Sequence, residues 1–452
     1  MKNTSKNLAP GPSWYSVPNR FRKVVANPLT AINKETREFG DFIRFEFGPL
    51  NVHFVGHPDY IDHILVRHSQ NYSRLTDDYL ALQTFVGEGL LTTEGKVWQK
   101  QRLMLQPEFH HQKVNGYANA IASTTETYLL GWNQRLLNRP ISNISSEMSN
   151  LTLRVASNAL FSVESSEFPP GFNESLTYVL NFADHHATSF FKIPLSFPTQ
   201  RNRGFHKAVR VFDGVATKII HDHRTRNDLN DLASVMINFT QTDTGQPLSD
   251  KEIRDQVLTL LISGHETAAN ALSWTLYLIS SLPEVAQTIQ AEVDAALGQR
   301  TPMLSDIPKL TYLKRVLQES MRLYPPLWGI SRKVLSDDVV NGYLVRKDAH
   351  MWISIYAIQR HPEFWNEPDR FDPDRFLPQN VEKRHKYAYL PFGAGPHMCI
   401  GRDFAMLETQ IVLAMLLQRF RFELVPEHPV ESEPRITLRP KFGIKLKLHP
   451  RN

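Results

Sequence analysis

The longest continuous helical pattern of the chain begins at LSDKEI and runs as far as Pro283. Ser249 and Glu252 have the spacing of a capping box at its start, and Pro283 cannot continue a helix. We therefore predict one helix of about 33 residues, which is roughly 50 Å long at 1.5 Å per residue. Apolar residues lie on more than one of its faces, which is typical of a helix that crosses the middle of a protein.

Helical periodicity also dominates residues 95–138 and 205–300, and a strong helix follows IGRDF. Two short segments, DFIRFEF at 41–47 and LNVHFV at 50–55, alternate polar and apolar residues and predict an antiparallel ribbon. A short helix is expected after Pro58. The expected fold class is therefore mainly α with small antiparallel β-sheets.

The composition is typical of a globular protein, with 452 residues of which 41% are hydrophobic and 21% are charged. No linker or repeat divides residues 1–452, so we expect a single domain with a Pro-rich lead over about residues 1–30. No run of roughly 20 apolar residues predicts a membrane span, and the start lacks the apolar core of a signal peptide, so a cytoplasmic location is expected. The net charge of +5 comes from dispersed basic residues, which argues against nucleic acid and leaves an acidic partner protein as the alternative.

The only cysteine is Cys399, which lies in FGAGPHMCIG at residues 392–401. A single cysteine excludes an intramolecular disulfide and a zinc site built from several cysteines. Where a Gly-rich loop enters a helix, backbone N–H groups and the positive helix end can stabilise a thiolate. A nucleophile with a base such as His397, a metal-binding thiolate against a flat cofactor, and a cysteine without chemistry all fit this setting.

The loop FGAGPHMCIG resembles the FxxGxxxCxG loop of the cytochrome P450 family. The resemblance implies that Cys399 is the axial ligand of the iron of haem b (iron protoporphyrin IX), with Phe392 beside the sulfur and Gly401 admitting the haem face. His397 stands where the family usually has Arg to bind a haem propionate. A histidine there implies a weaker and more pH-dependent hold on the propionate.

The segment WQKQR places Trp98 and Arg102 on one helical face, where they could form an ordinary surface stack. It also resembles the WxxxR helix of the cytochrome P450 family, in which both side chains reach a propionate. The resemblance implies the same role for Trp98 and Arg102, and a further propionate contact for Arg332 in GISRKV.

The segment ESMR places Glu319 and Arg322 three residues apart, where an ordinary solvated ion pair is one interpretation. Followed by LYPP, it resembles the ExxR helix of the family, and FDPDRF supplies Arg375 as the third member of a buried triad. The resemblance implies that the triad holds the loop behind the haem. Arg375→Ala is accordingly expected to damage folding or haem retention rather than one catalytic step.

The long helix contains LLISGHETAAN, in which Gly264 costs about 1 kcal/mol relative to alanine. Taken alone, Thr267 could donate to the carbonyl of Ser263 and Glu266 could face solvent. The segment resembles the (A/G)Gx(D/E)T pattern of the family. That resemblance implies that Thr267 organises proton delivery and that Glu266 supplies or relays the proton.

These motifs occur in family order and imply a prokaryote-like haem-thiolate monooxygenase that inserts one atom of O2 into a small hydrophobic substrate, such as a fatty acid or terpenoid. No GxGxxG turn is present, so a separate ferredoxin- or flavodoxin-type electron donor is expected, docking near Lys96, Lys100 and Lys113. The alternatives are a haem-thiolate peroxygenase or isomerase, a non-catalytic haem-binding protein, and a cysteine hydrolase without haem.

The resemblance also indicates which segments border the substrate, namely 76–92, 180–198, the apolar part of the long helix, 326–330 and the turn near Phe442. Their apolar and aromatic composition favours a hydrophobic substrate, although aromatic clusters are also common in cores. The second segment contributes the candidates Phe182, Phe190, Phe191 and Phe197, with His185 and His186 as weaker candidates for a substrate carboxylate.

Overall fold

The structure is a computed structural model that describes residues 7–136, 140–164, 168–189, 193–226, 228–241 and 245–451. Helices predominate in these residues, and small sheets lie beside them. The predicted fold class is confirmed. The helices, numbered in chain order, are α1 (Val17–Ala26), α2 (Pro28–Phe39), α3 (Asp59–Ile61), α4 (Asp77–Val86), α5 (Gly95–Leu105), α6 (His111–Gly116), α7 (Ala118–Leu136), α8 (Ile144–Phe161), α9 (Phe172–Thr188), α10 (Gln200–Thr225), α11 (Leu232–Ile237), α12 (Asp250–Ser281), α13 (Pro283–Leu297), α14 (Thr311–Leu323), α15 (Ile355–Ile358), α16 (Pro378–Lys383) and α17 (Arg402–Arg419).

The strands of the described residues form one five-stranded sheet, two three-stranded sheets and one hairpin. Their strand orders are β2-β3-β9-β6-β4, β1-β8-β7, β10-β13-β5 and β11-β12. The strands are β1 (Asn7–Leu8), β2 (Phe42–Phe47), β3 (Leu50–Val55), β4 (Tyr72–Ser73), β5 (Ile141–Asn143), β6 (Ile330–Val334), β7 (Asp338–Val340), β8 (Tyr343–Val345), β9 (His350–Ile353), β10 (Phe420–Leu424), β11 (Ser432–Pro434), β12 (Leu438–Pro440) and β13 (Lys445–Pro450).

The predicted ribbon is confirmed, because β2 and β3 pair antiparallel with Phe42 opposite Val55. Two other pairs, β3 with β9 and β1 with β8, run parallel. The prediction that the sheets are antiparallel is wrong for these two pairs. Parallel neighbours need a long crossover connection, and the alternation of residues within one strand does not reveal such a partner.

The long helix is confirmed as α12, which has 32 residues and carries the predicted capping box. The hydroxyl of Ser249 accepts from the backbone N–H of Glu252, and the Glu252 carboxylate accepts from the Ser249 N–H. Between residues 253 and 280 of this helix, all of them described, Ser263 alone is exposed. An exposed residue in the middle of a buried helix indicates an internal space beside it.

The loop that carries Cys399 packs against two different hydrophobic clusters. Ala394 belongs to a cluster with Leu65 and the inner strands of the five-stranded sheet. Phe392 instead packs against a cluster formed by Ala271 of α12 with Leu317 and Met321 of α14. The loop therefore lies between the sheet and a cluster shared by α12 and α14, with its end leading into α17.

The helix predicted after Pro58 is only partly α-helical. The short α3 continues into a π-helical turn over Asp62–Arg67, where the His68 N–H donates to the carbonyl oxygen of His63 at 2.9 Å. In the described part of the chain, no helix has the length and apolarity needed to cross a membrane. The single domain and the cytoplasmic location stay predictions.

Candidate functional site

The Cys399 loop is closed by its own backbone hydrogen bonds. The N–H of Cys399 donates to the carbonyl oxygen of Phe392, and the N–H of Met398 donates to that of Gly395, both at 3.0 Å. Cys399 is exposed, yet it is surrounded by enough protein that desolvation raises the pKa of its thiol, against the opposing effects of the Gly401 N–H and the Arg102 charge. Desolvation therefore outweighs the stabilisation of a thiolate that was expected from the loop. A metal that binds the sulfur would have to displace the thiol proton.

His397 does not serve Cys399 as a base. Its ring lies 4.1 Å from the Trp98 ring, and its Nε2 lies 3.5 Å from a Glu94 oxygen. Among the described residues no hydrogen bond joins it to Cys399, so His397 is not the base that the nucleophile interpretation suggested. Burial lowers the pKa of His397, the charges of Arg74 and Arg332 add to this, and Glu94 opposes it. Its Nδ1 is buried and has no partner among the described groups.

Three arginines surround this part of the loop. Arg102 of α5 donates to the carbonyl oxygen of Met398 at 3.1 Å, and the buried Arg332 of β6 donates to that of Ser331 at 2.7 Å. Within the described ranges, neither guanidinium forms an ion pair with a carboxylate. The third, Arg74, pairs with Glu94 at 3.2 Å. The cluster therefore carries more positive than negative charge, which is costly for partly buried groups unless an anion is bound.

Two glycines of the loop, Gly395 and Gly401, have different surroundings. A Cβ on Gly395 would lie 1.7 Å from the carbonyl oxygen of Leu65 in the π-helical turn, and its φ of +72° is unfavourable for other residues. A Cβ on Gly401 would meet only an edge atom of Phe109, at 3.9 Å, and its φ is −86°. The close approach at Gly395 is thus to the protein's own backbone, at Leu65.

The residues fit a haem. The two arginines without carboxylate partners and the orphaned Nδ1 of His397 suit an anionic group with two carboxylates. The open space at Gly401 suits a flat ring, since nothing in the described protein requires a glycine at that position.

The segment LLISGHETAAN of α12 carries the acid Glu266 and the alcohol Thr267, and both are half-buried. Thr267 donates from its Oγ1 to the carbonyl oxygen of Ser263 at 2.9 Å, as expected for an isolated threonine on a helix. The Oε1 of Glu266 accepts a hydrogen bond from the hydroxyl of Thr437 at 2.7 Å. Burial raises the pKa of Glu266, while Thr437 and the charge of Arg439 oppose the shift. The carboxyl group therefore holds its proton more strongly than an exposed glutamate.

Glu319 and Arg322 form a buried ion pair, so the solvated interpretation is wrong. The Nε and Nη2 of Arg322 lie 2.7 and 2.8 Å from the two Glu319 oxygens, and both side chains are 0% exposed. The Nε of Arg375 lies 3.4 Å from Glu319 Oε1, which is an ion-pair contact without a hydrogen bond. Burial raises the pKa of Glu319, and Arg322 acts against it. The structure thus brings the three residues together.

The same pair anchors the irregular segment that precedes the Cys399 loop. Arg322 donates to the carbonyl oxygens of Gln359, Pro368 and Arg370 at 3.0, 2.6 and 3.1 Å. The N–H of Asp372 donates to Glu319 at 2.9 Å. The buried Glu319–Arg322 pair therefore satisfies three backbone carbonyls and one backbone N–H between residues 359 and 372.

The sequence profile of the family described as Cytochrome P450 matches residues 9–448, nearly the whole chain. This chain belongs to the cytochrome P450 family. It is accordingly a haem-thiolate oxidoreductase of the monooxygenase type, which acts with incorporation of O2.

This cytochrome P450 is similar to several proteins that are named for an activity or for the family. Cyclooctatin synthase of Streptomyces melanosporofaciens is 32% identical over 402 residues, which cover 88% of this chain and 86% of the relative. Cyclooctat-9-en-7-ol 5-monooxygenase of the same organism is 31% identical over 396 residues, covering 86% and 83%. Putative cytochrome P450 132 of Mycobacterium bovis is 31% identical over 426 residues, covering 90% and 89%.

The residues predicted to border the substrate of this cytochrome P450 differ in their burial. Phe182 is buried and stacks with Phe205 at 4.3 Å, so it lies in the core, whereas Phe197 and Phe442 are exposed. Phe190 and Phe191 lie outside the described residues. His185 and Ser189 are hydrogen-bonded to each other at 2.9 Å.

Sequence reasoning missed three residues of the site, namely Arg74, Glu94 and Thr437. Arg74 and Glu94 are separated by 20 residues, and Thr437 lies 171 residues from Glu266. No short motif links residues at such distances, and only Glu94, directly before the WQKQR helix, had a position that could have drawn attention.

Proposed function

We propose that the sulfur of Cys399 would bind the iron of a haem b, with Phe392 beside the sulfur and Gly401 leaving room for the bound group. Trp98, Arg102, Arg332 and His397 would hold its propionates. Glu319, Arg322 and Arg375 would fix the segment behind it. The observation that carries the proposal is the accessible Cys399, in a loop packed against a cluster of α12 and α14 residues, beside two guanidiniums without carboxylate partners among the described residues.

A bound haem would supply the redox chemistry by which one atom of O2 enters an organic substrate. The chain's own contribution is proton supply on the α12 side. Glu266 is a half-buried acid with a raised pKa, and the half-buried Thr267 places a hydroxyl on the next residue of the helix. An acid that holds its proton beside an alcohol is a suitable proton donor.

Thr267→Ala is expected to lower product formed per electron consumed by about tenfold to a hundredfold and to release the balance as hydrogen peroxide, because proton delivery becomes disordered. The matched control is Thr275→Ala, since Thr275 makes the same bond to the carbonyl four residues earlier on α12, at 2.7 Å, but is buried. The measurement is product, peroxide and reductant consumed by the holoenzyme.

The alternatives give different results in the same assay. Turnover driven by peroxide alone and unaffected by Thr267→Ala would identify a peroxygenase. Haem binding without any product or substrate-dependent spin change would identify a haem-binding protein that is not a catalyst.

The proposed substrate is a hydrophobic molecule of the terpenoid or fatty acid class. Support comes from the relative named cyclooctat-9-en-7-ol 5-monooxygenase, whose name gives an unsaturated alcohol as its substrate, and from the apolar composition of the segments expected to border the site. Spin-shift titration of the holoenzyme with fatty acids and terpenes would distinguish the two classes.

The proposed electron donor is a ferredoxin- or flavodoxin-type protein that docks on α5 and α6. Lys96, Lys100 and Lys113 provide positive charge there, and Val97 and Leu103 are exposed apolar residues on the same helix as Trp98. Such a surface suits an acidic partner.

Lys100→Glu is expected to slow reduction of the holoenzyme by an acidic ferredoxin by about tenfold at low ionic strength, and less at high salt. Lys34→Glu, at an exposed lysine of α2, is the control. Equal reduction rates for the two variants at low salt would contradict docking on α5.

A further inference from the structure

Thr437 occupies the turn between β11 and β12 and is buried, with 4% of its surface exposed. Its hydroxyl donates to Oε1 of Glu266 at 2.7 Å and accepts from Nδ2 of Asn270 at 3.2 Å. The two partners lie four residues apart on α12. One hydroxyl of the hairpin therefore bridges successive turns of the helix that carries the acid.

The hairpin is held firmly at this position. The indole of Trp274 donates to the carbonyl oxygen of Leu438 at 3.0 Å, and the N–H of Leu438 donates to that of Pro326 at 2.9 Å. The indole of Trp328 donates to the carbonyl oxygen of Arg435 at 2.6 Å. Because these bonds fix the backbone on both sides of Thr437, its hydroxyl has a defined direction toward Glu266.

The same hairpin also contacts α9, the helix that contributes to the segment expected to border the substrate. Arg435 pairs with Asp184 at 2.8 Å, and Arg439 donates to the side chain of Asn181 at 2.7 Å. Arg439 is the charged group whose field acts on Glu266, whereas the neighbouring His265 is turned toward Ser149 of α8. The hairpin thus connects α9 with the acid.

We propose that Thr437 is a positioning residue for Glu266, and that the β11–β12 hairpin through it determines which carboxyl oxygen of the acid is available for proton delivery. The inference rests on the proposed role of Glu266. Because Oε1 accepts from Thr437, the acidic proton is left on Oε2, which fixes the rotation of the carboxyl group. Without the hydroxyl, the carboxyl group would lose this preference and one of its hydrogen bonds.

The test compares Thr437→Val, which keeps the shape and loses the hydroxyl, with Thr437→Ser, which keeps the hydroxyl. The first readout is the infrared stretching band of the protonated Glu266 in the holoenzyme, assigned as the band that Glu266→Gln removes. Thr437→Val is expected to shift this band and to move its titration midpoint to higher pH, because the donor that favours the carboxylate is gone. Thr437→Ser is expected to restore both.

The second readout is the fraction of O2 released as hydrogen peroxide when the reduced holoenzyme is mixed with O2. We expect a several-fold increase in Thr437→Val, approaching that of Glu266→Gln, and recovery in Thr437→Ser. If Thr437→Val leaves both the infrared band and the peroxide fraction unchanged while Glu266→Gln still raises the peroxide fraction, the inference about Thr437 is overturned. The proposed role of Glu266 is then unaffected. If Glu266→Gln has no effect either, the proposed role of the acid fails as well.

Discussion

Cys399→Ser is expected to remove the thiolate signature from the spectrum of the reduced, carbon monoxide-bound protein. We also expect monooxygenation to fall by about three orders of magnitude, equivalent to about 4 kcal/mol of activation free energy. The physical reason is that a serine hydroxyl does not ionise at neutral pH, so it cannot push electron density toward an iron as a thiolate does. The measurements are the carbon monoxide difference spectrum and the rate of product formation.

Met398→Leu is the control for this substitution, because it alters the neighbouring side chain and leaves both the thiol and the backbone carbonyl that accepts from Arg102. It should keep the spectrum and most of the activity. A Cys399→Ser protein with an unchanged difference spectrum would remove the basis of the haem-thiolate assignment for this residue.

Glu319→Gln is expected to lower the free energy of unfolding by about 3 to 5 kcal/mol, because it leaves the guanidinium of Arg322 buried without a counter-charge. Haem content should fall with stability, since the pair anchors the segment that leads into the Cys399 loop. The measurements are the urea midpoint of the holoenzyme and the haem absorbance per mole of protein.

An exposed pair in the same segment offers the control. Arg370 and Glu367 are 64% and 60% exposed, so Arg370→Gln should cost less than about 1 kcal/mol while its backbone carbonyl still accepts from Arg322. The double variant Glu319→Leu, Arg322→Met removes both charges but also three donors to backbone carbonyls. It should stay less stable than the wild type. A Glu319→Gln protein as stable as Arg370→Gln would show that the pair is not a stabilising unit.

Local patterns predicted the long helix and the ribbon, because a capping box, a terminal proline and strict alternation are properties of neighbouring residues. The burial of the Glu319–Arg322 pair was predicted only by the family resemblance. The spacing of the two residues alone favoured a solvated ion pair. The pairing of Arg74 with Glu94 and the bond from Thr437 to Glu266 depend on tertiary packing. Composition gave no indication of them.

The π-helical turn after α3 was equally hidden, because a hydrogen bond from residue 68 to residue 63 leaves no distinct hydrophobic period. The pKa of Cys399 is a similar case. The sequence showed the helix end and glycines that favour a thiolate, whereas the desolvation that outweighs them is visible only in the folded chain.

The contact between Gly395 and the Leu65 carbonyl makes the sulfur-bearing loop and the π-helical turn a single mechanical unit. The position of the thiol therefore depends in part on the five-stranded sheet, whose cluster includes Leu65 and Ala394, whereas Glu266 and Thr267 are carried by α12. Substitutions that shift the sheet relative to α12 would change the separation of Cys399 from Glu266 and Thr267 without altering any of these three residues.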